Sequence, residues 1–374
     1  MRYVLGVDIG STRIAAAICR RARGGWTEPE VLRLTESVLY VADDATVHVG
    51  LDDVGTPVEA DRVARGFLRR IGDEVPFLLG DELYTPEALT AAAAGWVTDL
   101  VAEAEGAEPE RIALTHPPGW GPYRRGLLLD ALHEAGLPGA LLLPSPVAAA
   151  ESLVIRERVE VGSMMSVCRL GGEYVDTAVL RRNPATFEMI AHGAPPGPQA
   201  GAAIDDLLAE HVGGEADRSR CVRAKEMLSM APDVTIPTPS ELARISRVEF
   251  ERLIRPLLTA SLAPLRRYDS VSTVLLAGGT ARIPLVAQLA AESFDGRVVV
   301  DPDPGTAVCR GAALAARPPA EALPESTALV PRVPNLPEID ADEVYDLEPA
   351  PPRPPVVLTP LELPKRRFVR GGRR

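Results

Sequence analysis

A turn of small and polar residues lies close to the start of the chain. Residues 6–12 read G-V-D-I-G-S-T, so Asp8 comes just before Gly10, Ser11 and Thr12. Such a turn presents backbone N–H groups and hydroxyls to a phosphate, and a carboxylate beside it can hold Mg²⁺ through water. The segment therefore indicates a phosphate site with a metal role for Asp8. Gly10 and Ser11 are equally consistent with an ordinary hairpin turn.

A second glycine-containing segment follows an apolar run near the end of the patterned part of the chain. Residues 274–276 are apolar, and Gly278, Gly279 and Thr280 come directly after them. Two glycines between a strand and a helix let a ligand approach the backbone where any side chain would collide with it. This segment supports a ligand site and is more specific than the first turn.

Strand and helix patterns show how these segments are positioned. Apolar runs at 3–7 and 14–19, and again at 165–170 and 175–180, each enclose a polar, Gly-containing turn, which predicts two similar hairpins and hence two related lobes. Helical spacing predicts one helix capped by Thr85, and others over residues 124–135, 146–156, 203–211, 220–230, 247–266, 284–293 and 305–317.

Several motifs together resemble a known family. Residues 278–284, G-G-T-A-R-I-P, resemble the adenosine-binding pattern G-G-S/T-x-R-I-P of the seventy-kilodalton heat-shock (DnaK-type) chaperones. Further segments follow in the family's order: 114–118 is similar to V-T-V-P-A, 136–150 to G-L…N-E-P-T-A-A-A, 221–229 to C-E-x-A-K-x-x-L-S, 245–251 to I-T-R-x-x-F-E, and 301–313 to N-P-D…G-A-A. The resemblance covers about residues 3–317. It implies an α/β actin-like ATPase fold, with a nucleotide cleft between two lobes that are each a mixed sheet flanked by helices.

The resemblance also implies a bound nucleotide, ATP or ADP. The residues that stand at the family's adenosine-side positions are Lys225, Ser229, Gly278, Gly279, Thr280, Arg282 and Asp303. Glu226 departs from the pattern because it replaces a basic residue. On the phosphate side, Asp8 and the turn that follows it match the family, and Mg²⁺ is implied there.

The second phosphate loop departs from the family pattern most clearly. The family reads D-L-G-G-G-T, whereas residues 169–174 read R-L-G-G-E-Y. Gly171 and Gly172 remain as expected phosphate contacts. Glu173 brings negative charge and bulk towards the phosphate, and Arg169 replaces the aspartate. Arg169 is therefore a candidate to pair with phosphate in place of the metal.

The residues implied for hydrolysis are also altered. Ser145 replaces the carboxylate of N-E-P, and no lysine precedes Lys225, so Arg69 is the candidate to supply the charge of the family's catalytic lysine. A guanidinium does not reproduce a compact ammonium. With Asp8 as the catalytic residue that remains, we expect hydrolysis to be very slow or absent. For Asp176, turn-stabilising and ligand roles both stay open.

Composition limits the remaining possibilities. A formal net charge of −12 argues against general nucleic-acid binding, which requires a basic face. The four scattered cysteines do not form a metal motif. No signal peptide or membrane-spanning run is apparent, so a cytoplasmic protein is expected.

We predict three regions along the chain. Lobe I covers residues 1–160, lobe II covers 161–317 with its final helix packing back towards lobe I, and 318–374 is a Pro-rich, disordered tail with a basic end. The tail is either a solvated linker or a docking segment, whose basic end would contact an acidic partner, membrane lipid or RNA; a protein partner or client is the expectation.

Three functions remain open from the sequence. The first is a nucleotide-binding, chaperone-like protein with weak or no hydrolysis and no substrate-binding domain. The second is a pseudo-ATPase scaffold, and the third, which the chaperone motifs disfavour, is a filament-forming actin relative.

Overall fold

The computed structural model describes residues 2–42, 46–51, 58–194, 199–214, 216–240, 242–267 and 271–318. The chain divides into two units, residues 1–319 and 320–374, and every described residue belongs to the first. The predicted tail lies outside the described residues except for Pro318, and its prediction remains untested. The predicted boundary between the lobes also stays a prediction.

The described chain forms eighteen strands and eight α-helices. The strands are β1 Tyr3–Ile9, β2 Arg13–Ala22, β3 Gly25–Trp26, β4 Glu30–Glu36, β5 Val38–Val41, β6 Val47–Val49, β7 Val63–Arg65, β8 Phe77–Leu79, β9 Glu82–Tyr84, β10 Arg111–His116, β11 Leu141–Pro144, β12 Met164–Leu170, β13 Val175–Arg182, β14 Phe187–Gly193, β15 Asp233–Pro237, β16 Leu242–Ser246, β17 Thr273–Ala277 and β18 Arg297–Val300. The helices are α1 Pro86–Glu105, α2 Pro122–Glu134, α3 Ser145–Val154, α4 Gly201–His211, α5 Arg218–Leu228, α6 Arg247–Leu262, α7 Pro284–Ser293 and α8 Ala307–Ala315.

Two sheets repeat one arrangement. In the first, the antiparallel strands β4, β2 and β1 continue into the parallel strands β10 and β11, and β3 pairs with β2. In the second, the antiparallel strands β14, β13 and β12 continue into the parallel strands β17 and β18. Both predicted hairpins are confirmed, and they occupy equivalent places in the two sheets.

Local signals set the helix ends. The Thr85 hydroxyl accepts a hydrogen bond from the backbone N–H of Ala88 at 3.3 Å, which satisfies one of the free donors of the first turn of α1. Gly106 ends that helix with a φ of 69°, a left-handed conformation that glycine adopts without strain. The predicted bounds of α7 are confirmed at both ends.

One hydrophobic cluster contains residues of both sheets together with α3 and α8. Small residues allow very close packing here. A Cβ built on Gly311 of α8 would lie 1.6 Å from the carbonyl oxygen of Ala148 in α3, and one on Gly6 of β1 would lie 2.1 Å from the backbone nitrogen of Ala313. The two helices therefore fix the distance between the sheets and the positions of the two hairpins. In the described part of the chain, no helix has the length and apolar character needed to cross a membrane.

Candidate functional site

Asp8 lies near the end of β1, where the neighbouring parallel strand supplies it with a hydrogen-bond donor. The register aligns Val7 with Leu114 of β10, which brings the next residues, Asp8 and Thr115, side by side. The Thr115 hydroxyl donates to Oδ1 of Asp8 at 2.6 Å, and both side chains are buried. One carboxylate oxygen of Asp8 is thus committed within its own sheet.

Arg169 reaches the other oxygen of Asp8 from the second sheet. Its Nη2 lies 3.3 Å from Oδ2 of Asp8, and its Nη1 lies 3.6 Å from Oδ2 of Asp176, which the β12–β13 register places directly opposite. Burial alone lowers the pKa of Arg169, but the charges of Asp8 and Asp176 outweigh it, so the pKa is raised. The guanidinium that replaces the family's aspartate is therefore held charged between two carboxylates.

Arg69 completes the charged group. It lies in a short 3-10 turn, Phe67–Arg70, and its Nη2 is 2.6 Å from Oδ2 of Asp176. Its guanidinium carbon lies 4.3 Å from the centre of the Tyr174 ring, within the range of a cation–π contact. We call Asp8, Arg69, Arg169 and Asp176 the ion cluster. Its two positive and two negative charges compensate each other.

The turns of the two hairpins touch directly. A Cβ built on Gly172 would lie only 2.1 Å from the hydroxyl oxygen of Thr12, so no side chain fits at that position. The backbone N–H of Glu173 donates to the Ser11 hydroxyl at 3.3 Å. Burial raises the pKa of the Glu173 carboxyl, and Arg218 and Arg69 only partly oppose this. The two predicted phosphate turns are thus in contact with each other.

A small cavity of about 20 Å³ adjoins these turns. A volume of this order holds roughly one water molecule. His116 and Ser145 both line this cavity. Nε2 of His116 and Oγ of Ser145 are buried, and neither atom has a hydrogen-bond partner among the described residues. Nδ1 of His116 lies 2.8 Å from the carbonyl oxygen of Pro117, and burial lowers the pKa of the imidazole. The cavity therefore suits a water molecule or a single phosphate oxygen.

Lys225 contacts the start of α4, and Thr280 contacts the second turn close by. Lys225 Nζ lies 2.8 Å from the Asp205 carboxylate and donates to the carbonyl oxygen of Gly201 at 3.0 Å. The Thr280 hydroxyl donates to the carbonyl oxygen of Gly171 at 2.8 Å. A Cβ on Gly201 would approach both Lys225 Nζ and Thr280 Oγ1, at 3.0 and 3.1 Å. These contacts tie the second turn to α4 and α5.

The glycine pair of the adenosine motif packs against β12. Gly278 has a φ of 87°, and a Cβ built on it would lie 2.2 Å from the carbonyl oxygen of Leu170, so only glycine fits. Gly279 begins a 3-10 turn that ends at Arg282. Arg282 forms an ion pair with Asp303, and both side chains are about half exposed. This rim is open to solvent and accessible to a ligand.

The structure gathers the predicted residues into two groups. The first lines the cavity or its adjoining turns and contains Asp8, Gly10, Ser11, Thr12, Arg69, Arg169, Gly171 and Gly172. The second contains Lys225, Gly278, Gly279, Thr280, Arg282 and Asp303. The Ser229 hydroxyl donates to the carbonyl oxygen of Lys225 within its own helix, at 3.1 Å. Glu226 pairs with Arg13 at 3.1 Å and so joins α5 to the first hairpin.

Sequence reasoning missed Thr115 and Asp205. Thr115 stood inside a motif, but nothing in the sequence shows that its strand is parallel to β1 and adjacent to Asp8. Asp205 is 20 positions from Lys225 and lies on a different helix, so no periodicity within one element relates the two. Only the packing of α4 against α5 brings this pair together.

The donor set at Asp8 does not fit Mg²⁺. This ion requires several oxygen ligands, usually with at least one free carboxylate. Asp8 already accepts from Thr115 and pairs with Arg169, and Asp176 pairs with two arginines through Oδ2, which leaves only its buried Oδ1 without a partner among the described residues. Among the residues with described coordinates, no group of three or more His, Cys, Asp or Glu side chains could hold a metal.

Comparison with known proteins identifies the family. The family model described as "Hsp70 protein" matches residues 72–318, which is well over half of the chain. A "Chaperone protein HscA homolog" of Azotobacter vinelandii is 29% identical over 361 residues, and one of Acidithiobacillus ferrooxidans is 28% identical over 362. "Chaperone protein HscA" of Escherichia coli is 27% identical over 359 residues.

These relatives are longer than the chain. Each comparison covers 84% of this chain but only 58% of the relative. Hsp70 proteins in general bind ATP or ADP with Mg²⁺ in an actin-like ATPase fold, and the paired α/β sheets described above agree with that fold. The resemblance seen in the sequence is thereby confirmed: the chain belongs to the Hsp70 family and has its actin-like ATPase fold.

Proposed function

We propose that this Hsp70-family protein binds ATP or ADP and hydrolyses ATP very slowly or not at all. The observation that carries this proposal is the position of Arg169. Its guanidinium lies between Asp8 and Asp176, at the place in the second phosphate loop where the family pattern has an aspartate. The fold and the adenosine-side residues favour binding, and the ion cluster disfavours turnover.

Hydrolysis needs groups that this site does not offer in usable form. Phosphoryl transfer depends on positioned charges and on a residue that orients the attacking water. Both oxygens of Asp8 are engaged, and a hydroxyl, Ser145, stands in place of the N-E-P carboxylate. Losing one such group typically costs about 3–4 kcal/mol of transition-state stabilisation, a factor of roughly 10²–10³ in rate. Several losses together make turnover negligible.

The residues that would hold the nucleotide follow from the two groups. The phosphates would lie at the glycines of the two turns once those turns separate, and Arg282 with Asp303 forms a half-exposed rim suited to the adenosine end. Lys225 and Thr280 act indirectly, because their side chains hold α4 and the second turn in place. Their substitution should therefore weaken binding through the position of the turn.

Calorimetric titration of the full chain with ATP and with ADP tests binding, and a phosphate-release assay on the same sample tests turnover. Arg181→Ala serves as a control away from the site, because Arg181 is exposed on β13 and pairs, among the described residues, with the exposed Glu188. We expect saturable binding of both nucleotides and no phosphate release above background. Sustained phosphate release that survives further purification would contradict the proposed lack of turnover.

A scaffold that binds no nucleotide is the second candidate, and one observation favours it. The two phosphate turns are in direct contact, and the cavity beside them is about 20 Å³, so phosphates can enter only if the turns separate. An absence of binding heat and of thermal stabilisation at millimolar nucleotide would select this candidate. In that case the protein would act through partner proteins. A pull-down comparing the full chain with one ending at Arg317 would test the predicted role of residues 318–374.

A further inference from the structure

We infer that this chain binds nucleotide phosphates without a magnesium ion, because the guanidinium of Arg169 supplies the positive charge between the two phosphate turns. The inference rests on the proposed nucleotide binding and adds to it which cation meets the phosphates. Hsp70 proteins use Mg²⁺, whereas the side chains around Asp8 do not suit this ion.

The guanidinium of Arg169 lies between the two turns. Its Nη2 is 3.6 Å from the place where a Cβ on Gly10 would lie, and its Nη1 is 3.8 Å from the corresponding place on Gly171. The backbone N–H groups of both glycines are already used inside their own hairpins, where they donate to Arg13 and Tyr174 at 2.9 Å. A phosphate that enters between these glycines therefore meets Arg169 before it meets their backbone donors.

Arg169 is also the member of the ion cluster that can change partners. Its contacts of 3.3 and 3.6 Å are longer than the 2.7–2.9 Å typical of strong charge-assisted hydrogen bonds. When Arg169 turns towards a phosphate, Asp8 keeps its 2.6 Å bond from Thr115, and Asp176 keeps its 2.6 Å pair with Arg69. Neither buried carboxylate is left without a partner.

Charge compensation explains why a metal is not needed and is not favoured. The two carboxylates of the ion cluster are already neutralised by two guanidinium groups. A divalent cation brought in with the nucleotide would find each of these carboxylates already paired with a guanidinium, so it would have to displace an arginine to bind there. A guanidinium, by contrast, binds phosphate oxygens through two parallel N–H bonds and is always charged.

The experiment is a calorimetric titration of the full chain with ADP, once in excess MgCl₂ and once in excess EDTA. We expect the two dissociation constants to agree within about threefold, a difference below 1 kcal/mol. Arg169→Ala should weaken binding in both buffers by roughly 10- to 100-fold, the usual effect of losing hydrogen bonds to a charged group. Arg169→Asp, which restores the family's carboxylate, should bind ADP only in the MgCl₂ buffer, and Arg181→Ala should behave as the wild type.

The possible results distinguish magnesium-independent binding from nucleotide binding itself. Wild-type binding that EDTA weakens tenfold or more would overturn the inference and leave the nucleotide-binding proposal intact. Absence of ADP binding in both buffers would overturn both. The wild-type comparison between buffers requires no substitution, so the test is decisive even if an Arg169 variant fails to fold.

Discussion

Gly311 lies in α8 where this helix crosses α3, and an alanine there has no room for its methyl group. A Cβ at this position would be 1.6 Å from the carbonyl oxygen of Ala148 and 3.1 Å from the backbone nitrogen of Ser152. Because the first obstacle is backbone, no side chain can rotate away. The two helices would have to separate until the first distance exceeds about 3.0 Å, below which Cβ contacts essentially do not occur.

The expected magnitude is the difference between two opposing terms. Overpacking a well-packed core costs up to about 3 kcal/mol. Replacing a helical glycine by alanine gains about 1 kcal/mol, because alanine loses less backbone entropy on folding. We therefore expect Gly311→Ala to lower the free energy of unfolding by about 2 kcal/mol. Urea denaturation followed by circular dichroism measures it.

Gly126→Ala in α2 is the matched control for this prediction. A Cβ on Gly126 meets nothing within 4 Å, so only the entropic gain applies. We expect this variant to be more stable than the wild type by roughly 0.5–1 kcal/mol. If both glycine variants were stabilised to a similar extent, the close crossing of α3 and α8 would be refuted.

Three further predictions concern buried and paired groups. Glu105→Gln removes a carboxylate whose pKa is lowered by the hydrogen bonds that it accepts from Arg20 at 2.8 and 2.7 Å. Urea denaturation should show a loss of about 1–2 kcal/mol at neutral pH, and this loss should fade as the pH falls from the ordinary glutamate pKa through the lowered pKa of Glu105. Thr115→Val removes the hydroxyl that donates to Asp8 and should cost about 1–3 kcal/mol in the same assay. Burial raises the pKa of Cys168 to about 12, and all four cysteines are buried, so a colorimetric disulfide reagent at about pH 8 should react only after urea is added.

Each of these predictions has its own control or contradicting result. For Glu105, the control is Glu188→Gln, which breaks an exposed pair with Arg181 and should leave stability unchanged. If Glu105→Gln still lowered the free energy of unfolding in acid, the ion-pair explanation would be contradicted. For Thr115, the control is Thr98→Val, whose hydroxyl donates only to the uncharged carbonyl of Ala94 and should cost less. Rapid thiol reaction in the native protein would contradict the burial of the cysteines.

The elements that were predicted well depend on local chemistry. The two hairpins and the helices follow from apolar periodicity and from residues such as Thr85, Pro86 and Gly106, whose effects reach only a turn along the chain. The short strands β5 to β9, between residues 38 and 84, were not predicted. A strand of three or four residues is stabilised by its partners, as β5 is by β6 and β7, and the sequence does not identify those partners.

In the candidate site, too, some residues could be predicted from local sequence and others depended on tertiary packing. The glycines of both turns and of the adenosine motif could be found from the sequence, because close approach to the backbone excludes every other residue. For Lys225 the predicted contact with nucleotide stays a prediction, and the structure adds a pair with Asp205 that the sequence did not indicate. That pair depends on how α4 and α5 pack.

The sequence by itself determined which charges are available in the cleft: an arginine in the second phosphate loop, an aspartate in the first, and no lysine before Lys225. The tertiary structure decided what those charges do. Arg169 and Asp8 are 161 residues apart in the chain, yet their side chains lie 3.3 Å apart once the two sheets assemble. Electrostatic energy depends on distance in space and on burial, and both arise only when the two hairpins are brought together.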